Sequence, residues 1–404
     1  MAQPLPKSSV APAATKNTHL ETDVSARNWL AVLSLSLGTF ALVTSELLPI
    51  GLLPKIAADL GVGEGTAGLS VTAPGIVAAI ATPLLVTGSG RLDRRVLVLL
   101  LSLVLLASNL IVAVSTTLPI LLAGRTLLGI GVGGFWAIGA AIAGRLAPAA
   151  GGRATALVFA GISGGTVIGL PAGTYLSSVF GWRGAFLAAA GLCALCIIAQ
   201  GILIPKLPPQ GSVSLRALPA FIRSPRVRLG LVLVALAISG QFAAYTYIVP
   251  YLKAAGANQA AISGALLGYG VAGLVGNQLA GEFAQRSVQT LLAAIGFVLG
   301  VTMLVAAALG HTPIPAIAMV LLWGFAFGGV PVTLQIYMFK AAPDSQESAG
   351  AVFVSTFQFA LAVGAWIGGI AVDSAGLSAA ILFGGAIVLG MGAVTVASGI
   401  RSRN

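Results

Sequence analysis

From Asn28 to the end, the chain alternates long apolar runs with short breaks rich in Gly, Pro, Asp and Arg. A helix crosses a bilayer with about 20 mostly apolar residues, its ends marked by Trp, Tyr, Lys and Arg. On that template the pattern predicts twelve spans, at 28–52, 65–87, 95–115, 118–143, 154–177, 183–204, 227–251, 260–281, 288–309, 314–339, 347–371 and 376–399. The fold class is an all-α membrane protein, and little chain remains for a water-soluble domain. Residues 1–27 are polar, rich in Pro, Ala, Ser and Thr, and lack a continuous apolar core. They are expected to form a disordered tail, not a cleaved signal peptide.

Composition supports this class. Hydrophobic residues make up 57% of the chain and charged residues 8%, well below the roughly 25% charge of soluble domains, and the mean hydropathy is +1.02. The net charge of +11 is spread between apolar runs, unlike the clustered basic surface of a nucleic-acid binder, so no nucleic-acid partner is expected. With the N-terminus placed in the cytoplasm, Lys55, Arg183 and Lys253 fall on the opposite side and Arg125 falls inside a span. The other seventeen of the 21 Lys and Arg lie on the cytoplasmic side. That asymmetry is the positive-inside rule, and it predicts an even number of spans with both termini cytoplasmic, in a bacterial-type inner membrane.

The longest connection, 205–226, follows the sixth span and mixes Pro, Gly, Ser and Arg as linkers do. It divides the chain into a six-helix unit at 28–204 and a second at 227–404. The halves resemble each other at a nearly constant offset. Adding 192 carries Arg94, Val96, Leu99 and Leu100 onto Arg286, Val288, Leu291 and Leu292, and adding 195 carries Ala154, Ala156, Gly169, Gly173 and Gly181 onto Ala349, Ala351, Gly364, Gly368 and Gly376. Parallel six-helix repeats are one way of building a secondary transporter, with the solute site between the halves.

Several stretches carry more specific signals. The loop GSGRLDRR includes Gly88, Asp93, Arg94 and Arg95; the fourth span, LLAGRTLLGIGVGGFWAIG, places Arg125 before Gly129 and Gly133; and the fifth has Gly161, Gly165 and Gly169 at four-residue spacing, then Pro171 and Gly173. With SELLPIGLLPKIAADLGV, FGWRGAF and SGQFAAYTYIVPYL, these resemble the major facilitator superfamily over roughly 28–399. Within it they are similar to the twelve-helix drug-proton antiporter branch, closest to exporters of sugars and purine ribonucleosides, with a related set exporting chloramphenicol. The loop departs from the family pattern: the usual Gly-x-x-x-Asp order is missing and Asp93 sits one position out. The family's Gly-Pro pair in the fifth helix is here Gly169-Leu170-Pro171. The resemblance implies two parallel-repeat bundles, a conformational latch at Gly88, Asp93, Arg94 and Arg95, an antiporter-like fifth helix, and a cavity lined by the first, fourth, seventh and tenth helices. Packing alone also explains the glycines, and an ordinary basic loop explains the arginines.

Helix periodicity places Thr39 with Glu46, Arg125 with Trp136, and Gln241 with Tyr245 on shared faces. With Gln335 in the tenth span they make a candidate cavity of amides and rings for a neutral, moderately polar solute. Glu46, in TSELLP, is an ionisable group inside a span and by default a functional candidate. Glu46 and Arg125 lie about seven and eight residues from the outer ends of their predicted spans, roughly 10–12 Å deep, and are expected to couple protons to transport. A carboxyl in apolar surroundings holds its proton, and a guanidinium brought beside it loosens that hold. Cys193 and Cys196 lie within an apolar span, and His19 and His311 are isolated, so no metal is expected; no phosphate loop or nucleotide domain is present, so no cofactor is expected beyond the proton itself. The expected protein is a monomer that is not an enzyme, and its partners are a small-molecule substrate, protons and the lipid bilayer. It exports a solute that is purine nucleoside-like, sugar-like or drug-like. A facilitator or importer is the alternative within transport, and a non-transporting receptor or scaffold the alternative outside it.

Overall fold

In hydrocarbon every backbone N–H and C=O has to find its partner within the chain, which leaves helices as the local solution for long apolar runs. The computed structural model describes residues 25–88, 90, 92–209, 224–343 and 346–401, and among these it is helical without strands. Most of the expected tail and of the 205–226 linker lies outside the described residues.

The first span is the helix Ala26–Leu60, and the second is Leu69–Gly88 with a one-turn lead-in, Glu64–Ala67. Arg94–Ala113 and Leu118–Leu146 are the third and fourth. The fifth begins as Gly151–Gly164, widens into a π-helical stretch at Gly165–Gly169 and continues into Leu170–Leu203. The apolar stretch Pro148–Leu203 is 56 residues long, too much for one crossing. It divides at Gly181, where φ is 72° and ψ 171°, so the sixth span starts at Trp182. Pro225–Tyr245 with Ile248–Ala254, Gln259–Phe283, Val288–Leu309, Pro313–Ala341, Gln346–Ala375 and Leu377–Arg401 are the seventh to twelfth. The spans alternate in direction. Below, the near end is where the first span begins and the far end is where it finishes.

The first span packs against the fifth and sixth, the second against the fourth, and the third against the fourth and sixth; the same scheme recurs among the seventh to twelfth. The two groups meet where the second span lies on the eleventh and the fifth on the eighth. The internal repeat is written into the backbone. The positive-φ glycines, Gly61, Gly181, Gly256 and Gly376, form two pairs separated by 195 residues. Gly169 and Gly173 press on Thr44 and Leu48, and 195 residues on, Gly364 and Gly368 press on Ser239 and Ala243. A side chain at any of these four contact glycines would overlap its neighbour, so the close approach of the helices depends on them.

One predicted boundary differs in a way that matters. The first helix runs to Leu60 and not to residue 52, carrying Pro49 and Pro54 inside it. Glu46 therefore sits fourteen residues from the far end of its helix and near its middle.

Candidate functional site

Proline has no N–H, so inside a helix it leaves the carbonyl four residues earlier without a partner. Pro49 does this to Ser45 and Pro74 to Ser70, on adjacent spans. Arg125, on the fourth span and 0% exposed, takes up both: its Nη1 donates to the Ser45 carbonyl at 2.7 Å and its Nε to the Ser70 carbonyl at 2.7 Å. Its Nη2 donates to the Glu46 carbonyl at 2.8 Å. A guanidinium suits this position because its donors form a fixed planar fork. Gly129 and Gly133 let the fourth span approach the second at Pro74, Ala78 and Thr82, which brings the fork within reach. Arg125 and Glu46 are thus neighbours, but Arg125 holds the backbone of Glu46 and not its carboxylate.

The Glu46 side chain turns the other way. It is 8% exposed, and its Oε1 accepts from Nε2 of Gln358 on the eleventh span at 2.9 Å. This bond crosses between the two bundles. The other hydrogen bonds that join described residues of the two groups lie further toward the far end. Asp373 accepts from Gly65 N at 2.9 Å and from the Thr66 hydroxyl at 3.1 Å. The Tyr247 hydroxyl bridges Gly65 O at 3.4 Å and Ala365 O at 3.0 Å, and Gln259 donates to Thr174 O at 3.3 Å. Val43, Leu47 and Ile50 pack with Tyr245 and Ile248 in one apolar cluster. The far end is therefore sealed, and Glu46 sits at the inner edge of the seal.

Gln241 and Tyr245 lie inside the second bundle. Gln241, 0% exposed, donates to the Tyr269 hydroxyl at 2.8 Å and accepts from the Trp323 indole at 2.7 Å. The Tyr245 ring stacks on Tyr269 at 4.7 Å and 27° and meets Trp323 edge-on, while its hydroxyl makes no hydrogen bond among the described residues. In the first bundle, Thr39 and Trp136 line a pocket of about 30 Å³ together with Phe135, Val158 and Phe159. The Thr39 hydroxyl is held by Val158 O at 2.8 Å. Trp136 is half-buried, with its ring 6.5 Å from Phe159. Gln335 is half-buried in the tenth span and makes no hydrogen bond among the described residues; nothing joins it to the other candidates.

The basic loop is tied within the first bundle. Asp93 caps the third span, accepting from Arg95 N at 2.8 Å and from Leu207 N at 3.2 Å. Arg94 N donates to Leu207 O at 2.9 Å, and the Arg95 guanidinium donates to Gly201 O. A side chain at Gly88 would meet open space. Gly161, Gly165, Gly169 and Gly173 all face the first span between Ser36 and Leu48, and the π-helical stretch ends two residues before Pro171. Cys193 and Cys196 are buried and unbridged.

The sequence reading missed Gln358, Asp373, Tyr269 and Trp323. Gln358 is the only amide in the eleventh span's apolar run and was readable on that ground, as was the serine four residues before proline at 45–49 and 70–74.

Comparison with known proteins bears on this arrangement. The sequence pattern of the Major Facilitator Superfamily matches residues 35–365. A protein of Salmonella paratyphi A named purine ribonucleoside efflux pump NepI is 35% identical over 380 residues, covering 94% of this chain and 96% of that protein. A protein of the same name from Escherichia coli O6:K15:H31 is 35% identical over 364 residues, 90% of this chain and 92% of its own length.

Proposed function

The chain belongs to the Major Facilitator Superfamily, a transporter and not an enzyme, and we propose that it exports a purine nucleoside-like solute in exchange for protons. The reading places it in a bacterial inner membrane with both termini in the cytoplasm, so the near end faces the cytoplasm. The observation that carries it is the Glu46–Gln358 bond, in which a buried carboxyl of one bundle holds an amide of the other.

A charged acceptor makes a hydrogen bond roughly twice as strong as a neutral one. The grip between the bundles at mid-depth therefore depends on whether Glu46 carries a proton. Arg125 supplies a fixed positive charge beside Glu46, bonded to its carbonyl, and so fixes the backbone from which the carboxyl projects, leaving only the proton on Glu46 to change. With the far end sealed, Glu46 is poised to give its proton toward the cytoplasm; with the far end open, it takes one from outside. Solute binding between the bundles biases the same two states. The purine ribonucleoside efflux pumps that this chain is similar to favour a nucleoside over sugars or drugs.

The test uses proteoliposomes with an imposed pH gradient. Wild type should move inosine or guanosine against its gradient when protons run the opposite way. Glu46→Gln keeps the shape but cannot ionise, so it should bind solute and fail to respond to the pH gradient. Proton-driven pumping by that variant would remove Glu46 from the mechanism.

A further inference from the structure

A groove of about 470 Å³ opens at the near end of the second bundle, where the seventh, ninth, tenth and twelfth spans converge. It lies away from Glu46, and none of its lining residues belongs to the seam between the bundles. Arg226 and Lys340 stand on its walls with Ser287, Gln289 and Ser398, over a floor of Leu229, Val288 and Tyr337. Among the described residues no Asp or Glu lines it and neither cation makes an ion pair. The ninth span begins here. Ser287 caps it by accepting from Thr290 N at 3.3 Å, and the amides of Val288 and Gln289 in its first turn have no partner within the helix. Tyr337 supplies an independent observation: it is 9% exposed, lines the groove, and its hydroxyl makes no hydrogen bond among the described residues.

Two exposed cations, a helix N-terminus and a tyrosine hydroxyl with no partner among the described residues are all donors, and they line one groove with an apolar floor. Cations placed only to orient the chain need neither a cavity nor a tyrosine hydroxyl lining it. A phosphate suits this donor set: its ionised oxygens accept, Arg pairs with it as a fork, and helix N-termini favour it. We propose that this groove binds a phosphate-bearing anion. Both the headgroup of an acidic phospholipid, its tails against the apolar floor and neighbouring span surfaces, and a free phosphate in the cytoplasm offer that chemistry.

The full-length chain in nanodiscs of mixed phosphatidylglycerol and phosphatidylcholine, released into native mass spectrometry, separates the sources. If the lipid is the ligand, wild type retains phosphatidylglycerol over phosphatidylcholine, and Arg226→Gln/Lys340→Gln loses that retention. If the free ion is the ligand, inorganic phosphate protects wild type in detergent against heat more than chloride at equal ionic strength, without lipid retention, and the same variant loses the protection. In either case occupancy should fall roughly tenfold per cation removed. Tyr337→Phe, which deletes only the unpaired hydroxyl, should weaken binding by a smaller factor while leaving the melting point without ligand unchanged. The charge-matched control Arg27→Gln/Lys206→Gln should behave as wild type. Equal loss in the control, or neither retention nor protection in wild type, overturns the proposal and leaves Arg226 and Lys340 as orientation charges.

Discussion

Counting forward 195 residues from Glu46 reaches Gln241, and from Arg125 reaches Val320. The two bundles share helix packing, glycine contacts and kinks at that offset, yet at these two positions one carries a carboxyl and a guanidinium and the other an amide and a methyl-tipped chain. The side chains also face differently. Glu46 reaches across the seam to Gln358, whereas Gln241 turns inward and is held at both ends by Tyr269 and Trp323. Among the described residues, the buried charges are Glu46 and Arg125 alone, both in the first bundle. Shared packing fixes where backbones run, and the side chains placed on it give the buried charges to one half and the Gln241, Tyr245, Tyr269 and Trp323 cluster to the other. On the proposed mechanism, one carboxyl against one amide keeps a single switch.

The largest effect expected is at the matched pair 125 and 320. Arg125→Ala leaves the Ser45, Ser70 and Glu46 carbonyls without their donor, costing on the order of 3 kcal/mol or more, so folded protein in the membrane should drop sharply and transport should vanish. Val320→Ala removes two methyls and should cost about 1–2 kcal/mol with transport retained. Comparable damage from both, read by thermal melting in detergent, would break the contrast.

Next is the carboxyl's address. Glu46→Gln/Gln241→Glu moves it to the matching register of the other bundle, where there is no arginine at 320 and no amide across the seam. Transport should stay insensitive to the pH gradient; recovery of coupling would show that any buried carboxyl in the bundles suffices. Gln358→Leu keeps the carboxyl and removes its partner, and should weaken the pH response of transport without abolishing solute binding. An unchanged pH profile for that variant would place the switch elsewhere.

Smaller effects test one ring in each bundle. Tyr245→Ala and Trp136→Ala should each weaken binding of a purine nucleoside by about 1 kcal/mol, roughly fivefold, if the ring stacks there, and isothermal titration reads this directly. Arg94→Ala/Arg95→Ala should slow transport at normal abundance. Those side chains leave most of the main-chain anchoring of the loop to Asp93 and Leu207 in place, so the change should be the smallest of the series, and normal transport would leave the arginines only an orienting role.

Much of this was legible beforehand. Spans announce themselves because the bilayer permits little else, and the repeat survives in glycines that cannot be replaced without overlap, such as Gly169 and Gly364. Arg125 was legible as a buried group, but its acceptors were sought among carboxylates when the chain offers two carbonyls freed by Pro49 and Pro74. Gln358 stayed hidden because its role depends on how two bundles meet, which no local pattern encodes. The predicted first span, 28–52, kept Pro49 inside it but stopped before Pro54, whereas the helix carries both prolines and continues to Leu60.

The solitary carboxyl at the seam also has an electrical consequence. If one proton enters for each uncharged solute that leaves, every cycle carries one elementary charge across the membrane, and the protein works as a current source driven by voltage as well as by acidity. A potential of 100 mV then contributes about 2.3 kcal/mol per turnover, enough for a solute ratio of roughly 40-fold even with no pH difference, and each pH unit multiplies that ratio by about ten.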